Sequence, residues 1–167
     1  MPVHTEDLEY HRPNGIPLLG RLYRPDGPGP FPALVEIHGG AWTGGDRLNN
    51  VAIAAYLAAR GVMVFSIDFR MPPDAGYPDS VADINFAIRW FKANAERFGT
   101  RADRIGALGT SSGGHMLLLN VLRPNDPRYV TPATPGVDAK VACAIACWPV
   151  ADPLTRYRTQ EIGRAHV

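Results

Sequence analysis

Residues Val62-Met63-Val64-Phe65-Ser66-Ile67 form a nearly unbroken run of apolar and β-branched side chains. A strand with one wet face alternates polar and apolar residues. A run without alternation fits a strand covered on both faces, as in a parallel sheet flanked by helices. Ala33-Leu34-Val35-Glu36-Ile37, Arg104 to Leu108 and Val141 to Trp148 repeat the theme. Leu18 to Tyr23 lies between Pro17 and the turn-rich stretch from Pro25 to Pro30 and reads as an earlier strand. Helical patterns separate the later runs. Leu48 to Arg60 closes at Gly61. A second helix is capped by Asp79 or Ser80, carries Val81, Ile84, Ile88, Phe91, Ala95 and Phe98 on one face, and ends at Gly99. Ser112 to Leu122 is apolar nearly all round and stops before Pro124, which places it at the centre of the fold. Strands alternating with helices of this length imply βαβ crossovers and a parallel sheet. The expected fold class is α/β, a doubly wound and mostly parallel sheet with antiparallel N-terminal strands.

Composition narrows the function classes. The 167 residues fit one domain, and 17 basic against 16 acidic residues leave a net charge of +1 with no basic cluster. Bulk charge therefore gives no footprint for nucleic acid or a membrane surface. No apolar run approaches the roughly 18 residues of a membrane span, and Met1 to Tyr10 carries no apolar signal core. Cys143 and Cys147, four residues apart along one strand, are too distant to bridge, so a reducing, cytoplasmic setting is expected, with both thiols packed inside.

Gly109-Thr110-Ser111-Ser112-Gly113-Gly114 lies between an expected strand and an expected helix and matches G-x-S-x-G. A sharp strand-to-helix turn strains the serine backbone, and the residues two before and two after it, Gly109 and Gly113, must be small to let the chains pass. The serine hydroxyl of Ser111 is then held out at the carboxyl end of the sheet, near the positive end of the following helix. About seventy residues earlier, His38-Gly39-Gly40-Ala41-Trp42 follows a buried strand. Its consecutive glycines leave backbone N–H groups free. Those of Gly40 and Ala41, with that of Ser112, are the expected donors to an oxyanion.

These segments, with Gly44-Gly45-Asp46, Asp68-Phe69-Arg70 and His115, resemble the α/β-hydrolase superfamily on its esterase and lipase side, from about Leu18 to Arg158. The likeness is strongest to bacterial carboxylesterases of the kind that includes feruloyl- and acetylxylan-esterase-like proteins and kynurenine-formamidase-like hydrolases. It implies a Ser–Asp–His triad with Ser111 as nucleophile, a structural role for His38 and Gly39, a small-molecule ester as substrate, and no metal or organic cofactor. Ala41 stands where the lipase H-G-G-G motif has its third glycine, and its N–H is retained. An amide-cleaving relative, formamidase or peptidase, and a non-catalytic binding protein of the same fold are the alternatives. Dinucleotide binding fails for want of G-x-G-x-x-G after the first strands. Oligomeric state is not legible in the sequence.

The triad acid and base are not present in this chain. In this fold the order is nucleophile, acid, histidine. After Ser111 the acids are Asp126, Asp138, Asp152 and Glu161, and Asp152 reads as a turn residue ahead of Pro153. Of the histidines, His4 and His11 precede the elbow, His115 sits on the helix that the elbow points away from, and His166 is next to last. The terminal Glu161-Ile162-Gly163-Arg164-Ala165-His166-Val167 resembles a translated sequencing adapter. Residues 1–160 are therefore expected to be the N-terminal part of a single domain that lacks its last strands, and 161–167 to be foreign. Clean genomic sequencing across this junction is expected to depart from the present sequence after Gln160; an in-frame Glu-Ile-Gly-Arg-Ala-His-Val would overturn that expectation.

Overall fold

The computed structural model describes residues 2–164. One six-stranded sheet runs in the order β1-β2-β4-β3-β5-β6. The strands are β1 (Val3–His11), β2 (Leu18–Pro25), β3 (Phe31–Ile37), β4 (Met63–Ile67), β5 (Thr100–Thr110) and β6 (Ala144–Cys147). β1, β2 and β4 are joined antiparallel, while β4, β3, β5 and β6 are parallel. The fold class expected from the sequence is the one observed.

The helices are α1 (Val51–Ala58), α2 (Asp79–Ala93), α3 (Ala95–Phe98), α4 (Ser112–Leu122) and α5 (Pro153–Arg164). Two apolar clusters show why the strands carry no alternation. Val35, Ile37, Met63, Phe65 and Ile67 pack with Ile84, Ile88 and Phe91 of α2 and Leu117 of α4. Tyr23 and Val64 pack with Ala54 and Ala58 of α1. Neighbouring residues of a strand point to opposite faces, so the two clusters cover both sides of the sheet.

Several boundaries differ from expectation, each for a local reason. The expected helix from Leu48 begins only at Val51, because Asp46 and Asn49 fold the preceding residues into turns. Gly61, with φ +87°, takes the left-handed position after it. Neither Asp79 nor Ser80 caps α2, whose N-cap position is Pro78. The single helix expected to run to Gly99 is broken at Asn94, whose side chain turns back onto the Trp90 carbonyl, and Gly99 ends the four-residue α3 instead. β1 escaped the sequence reading as a distinct strand because its exposed residues are charged. Asp7 there pairs with Arg21 of β2 and with Arg47.

The α4 helix is buried through Met116, Leu117 and Asn120, but Leu122 is largely exposed, so all-round apolarity did not mean all-round burial. β6 is shorter than the run from Val141 to Trp148 and forms one end of the sheet, with Ile145 and Trp148 exposed. Cys143 is exposed and Cys147 half-buried, both free, which corrects the expectation that both pack inside. α5 continues through residues 161–164 to Arg164, while residues 165–167 of the terminal segment lie outside the described residues. Among the described residues no helix is long and apolar enough to cross a membrane.

Arg70 follows β4 and clasps Asp83 of α2 through Nε and Nη2 at 2.9 and 2.8 Å, while its backbone N–H donates to the same carboxylate at 3.0 Å. Asp83 is 1% exposed. Removing one partner of such a pair strands a buried charge. Asp83→Ala is expected to cost about 3–5 kcal/mol in urea unfolding, and a loss below about 1 kcal/mol, the scale of a surface pair, would contradict this.

Candidate active site

The turn from β5 into α4 carries the strain expected at Ser111, whose φ is +52° and ψ −119°. A non-glycine residue holds that conformation only when its surroundings over-determine it. Here they do. The Ser111 N–H donates to the Cys147 carbonyl of β6 at 3.0 Å, and the Ser111 carbonyl accepts from the N–H groups of His115 and Val150. The glycines are required by space: a Cβ on Gly109 would lie 2.6 Å from the Gly113 carbonyl oxygen. One on Gly113 would lie 2.3 and 2.4 Å from the carbonyl oxygens of His38 and Ile37. The elbow is thus wedged against the end of β3.

That end of β3 leads into the glycine loop. A Cβ on Gly39 would sit 3.1 Å from both the Ser111 Cβ and the Thr110 carbonyl, so only hydrogen separates loop from elbow. Gly40, Ala41 and Trp42 all have positive φ, +130°, +53° and +63°. The Gly40 carbonyl closes the loop by accepting from the N–H groups of Thr43 and Gly44. Among the described residues, the N–H groups of Gly40 and Ala41 donate to nothing. That of Ser112, in the first turn of α4, has no intrahelical partner either. Beneath the loop His38 is buried, its Nδ1–H donating to the Gly39 carbonyl at 2.6 Å and its ring stacked on Phe69 at 4.4 Å. Burial pushes its pKa down, against the opposing pull of the Gly39 carbonyl and of Asp68 and Asp46.

Trp42 does more than the sequence indicated. Its Nε1–H donates to Nδ1 of His115 at 3.3 Å, joining the glycine loop to α4. With Tyr77, Val81, Met116 and Leu119 these two residues line a mainly apolar cavity of about 390 Å³ that runs along α4 from one turn beyond Ser111. The size suits a small organic molecule. Trp148 stands exposed outside it. His115 is neutral with its proton on Nε2, because Nδ1 accepts from Trp42, and burial pushes its pKa down.

No histidine side chain hydrogen-bonds to Ser111 among the described residues. His4 faces Asp26, and His11 stacks on Phe86 at 3.7 Å. The later acids whose side chains are described are engaged elsewhere. Asp126 binds Arg128, which holds its carboxyl well below the usual range; Asp138 pairs with Lys92; Asp152 caps α5 through the Thr155 N–H and hydroxyl. No group of three or more His, Cys, Asp or Glu side chains among the described residues could hold a metal ion. One polar cluster escaped the sequence reading. Asn50 Nδ2 donates to Glu36 Oε1 at 2.6 Å and lies 3.1 Å from the Thr110 hydroxyl. Glu36 breaks the apolar run of β3, which was the available signal.

Comparison with known proteins is consistent in kind. The BD-FAE family model matches residues 21–165. The chain is similar to the esterase LipC of Mycobacterium tuberculosis, 36% identical over 120 residues, which are 71% of this chain and 30% of that protein. The apo form of Thermogutta terrifontis esterase 2 superposes with a TM-score of 0.81 at 26% identity, covering 94% of this chain and 61% of that one. The same esterase phosphorylated by paraoxon gives 0.80 at 26% identity, covering 87% of this chain and 57% of that one. The chain therefore spans less than two thirds of these relatives' own length.

The packing at Gly113 makes a specific demand. Gly113→Ala places a methyl against two carbonyl oxygens that belong to the sheet. It is expected to destabilise by about 1–3 kcal/mol, as overpacking does, and to shift the Ser111 amide resonance. An unchanged unfolding midpoint would show that the wedge is loose.

Proposed function

The chain belongs to the BD-FAE family, and from that premise we propose that the intact protein is a carboxylesterase acting through an acyl-serine intermediate on Ser111. The observation that carries this reading is the strained Ser111, φ +52°, set beside a glycine loop whose Gly40 and Ala41 N–H groups have no partner among the described residues. Backbone strain of this kind persists at sites that use it. Unpartnered N–H groups beside a hydroxyl are what an oxyanion needs.

The mechanism follows from those groups. The Ser111 Oγ attacks the ester carbonyl carbon, and its proton passes to a histidine base. The carbonyl oxygen becomes an oxyanion that accepts hydrogen bonds from the N–H groups of Gly40, Ala41 and Ser112. The C–O bond to the alcohol breaks as the histidine returns the proton to the leaving oxygen. Water, deprotonated by the same histidine, attacks the acyl-serine; the Oγ–acyl bond breaks as the histidine returns the proton to Ser111 Oγ and the acid leaves. Gly39, Gly109 and Gly113 keep loop and elbow at this distance. His38 braces the loop through its bond to Gly39 rather than titrating.

On this reading residues 1–160 are the front of one domain, the histidine and acid of the triad come from chain that follows it, and 161–167 are foreign. The substrate is a small-molecule ester. The free Cys143 and Cys147 are in keeping with a cytoplasmic setting.

Kinetics test the assignment. Enzyme carrying the natural sequence after Gln160 is expected to hydrolyse p-nitrophenyl acetate. Ser111→Ala should lower its kcat by at least about 10³-fold, the scale set by triad deletions. The 167-residue chain should give no turnover above background. Full activity in Ser111→Ala would refute the proposal.

A further inference from the structure

Glu36 sits in the middle of the sheet, 1% exposed, and no cation pairs with it among the described residues. Its Oε1 accepts from Asn50 Nδ2, but Oε2 has no partner. Directly opposite in register on β4 stands Ser66, whose hydroxyl is also buried without a partner. A carboxylate oxygen buried with no cation and no hydrogen-bond partner is costly, and a proton on Oε2 removes that charge. Burial drives the group the same way, raising its pKa against the opposing influence of the Asn50 amide and the nearby Ser66 hydroxyl. The groups facing it from the packed elements are Ser66 of β4, Thr110 of β5, Asn50 before α1 and the Tyr23 phenol of β2. None of these is a cation.

The second half of the chain of contacts leads to the elbow. Asn50 occupies the N-cap position of α1, where an asparagine side chain would ordinarily accept from the helix N–H groups, yet it makes no such bond. Its amide is turned instead to Glu36 and to the Thr110 hydroxyl. Thr110 is buried, precedes Ser111, and presents its carbonyl and hydroxyl to Gly39.

We propose that Glu36 is a positioning residue for the nucleophile elbow: held as a neutral carboxylic acid between Ser66 and Asn50, it orients Asn50 to fix Thr110, and with it Ser111, against the glycine loop. This assignment rests on the reading of Ser111 as nucleophile, but its test needs no turnover. A neutral buried acid makes folding take up a proton. The stability of the wild-type chain relative to Glu36→Gln should therefore fall as pH rises above the ordinary glutamate value of 4.5. Gln supplies the same donor and acceptor and does not titrate.

The experiment combines urea unfolding of both chains across pH with amide hydrogen exchange read by NMR. Exchange at Ser111 should rise about tenfold in Glu36→Leu and in the isosteric Thr110→Val, as expected for one lost hydrogen bond, and return to within about twofold of wild type in Glu36→Gln. Exchange at Phe65 in β4 serves as the control for global loosening. Parallel pH curves for wild type and Glu36→Gln would overturn the neutral acid. Unchanged Ser111 exchange in both Glu36→Leu and Thr110→Val, or equal acceleration at Phe65, would overturn the positioning role. Either failure leaves the nucleophile assignment standing, whereas an active Ser111→Ala enzyme with these results intact would remove that assignment alone.

Discussion

The contact on which the site depends is the close approach of two backbones, the elbow at Gly113 and the end of β3 at Ile37 and His38. A single methyl at Gly113 would fall inside the van der Waals radius of two carbonyl oxygens. Because nothing larger than hydrogen fits, α4 starts flush against the central strand. Ser111 is then forced into its left-handed conformation, and Gly39 comes to rest against its Cβ. Strain of this kind costs about 1–3 kcal/mol. It is held here by three backbone hydrogen bonds that tie Ser111 to β6, to α4 and to Val150.

The sheet explains how such a junction stays in place. β3 and β5 are neighbours in register, with Ile37 opposite Gly109, so the loop after one and the elbow after the other emerge at the same edge. Parallel strands necessarily put their following loops at one end, and that is where open α/β sheets gather their chemistry. The two faces are then covered by α1 on one side and by α2 with α4 on the other. Polar ties stitch the loops to this frame: Arg70 to Asp83 holds α2, and Arg47 to Asp68 holds the segment that follows the glycine loop.

Much of this was legible in the residues. Unalternating runs at Ala33 to Ile37 and Val62 to Ile67 announced doubly covered strands, and G-x-S-x-G between a strand and a helix announced the elbow. Gly61 and Gly99 both take the positive φ that glycine allows after a helix, although the helix expected to reach Gly99 breaks at Asn94. What sequence could not show were contacts between distant positions. The bond from Trp42 to His115 spans 73 residues, and that from Asn50 to Thr110 spans 60. Nothing in local pattern marks Asn50 as anything but an early residue of the helix expected from Leu48 to Arg60. Burial of a strand's far end also lies beyond local pattern, which is why β6 proved shorter and its cysteines more open than the apolar run implied.

The central claim, that Ser111 is a nucleophile facing unpartnered amide donors, is tested most directly by chemical trapping. The similar Thermogutta terrifontis esterase 2 is phosphorylated by paraoxon. Peptide mapping by mass spectrometry after paraoxon treatment of the enzyme with its natural continuation should find one diethylphosphoryl group, on Ser111 within the Gly109–Gly114 turn, and none after Ser111→Ala. A modification at Ser112 or elsewhere, with Ser111 unmodified, would contradict the account.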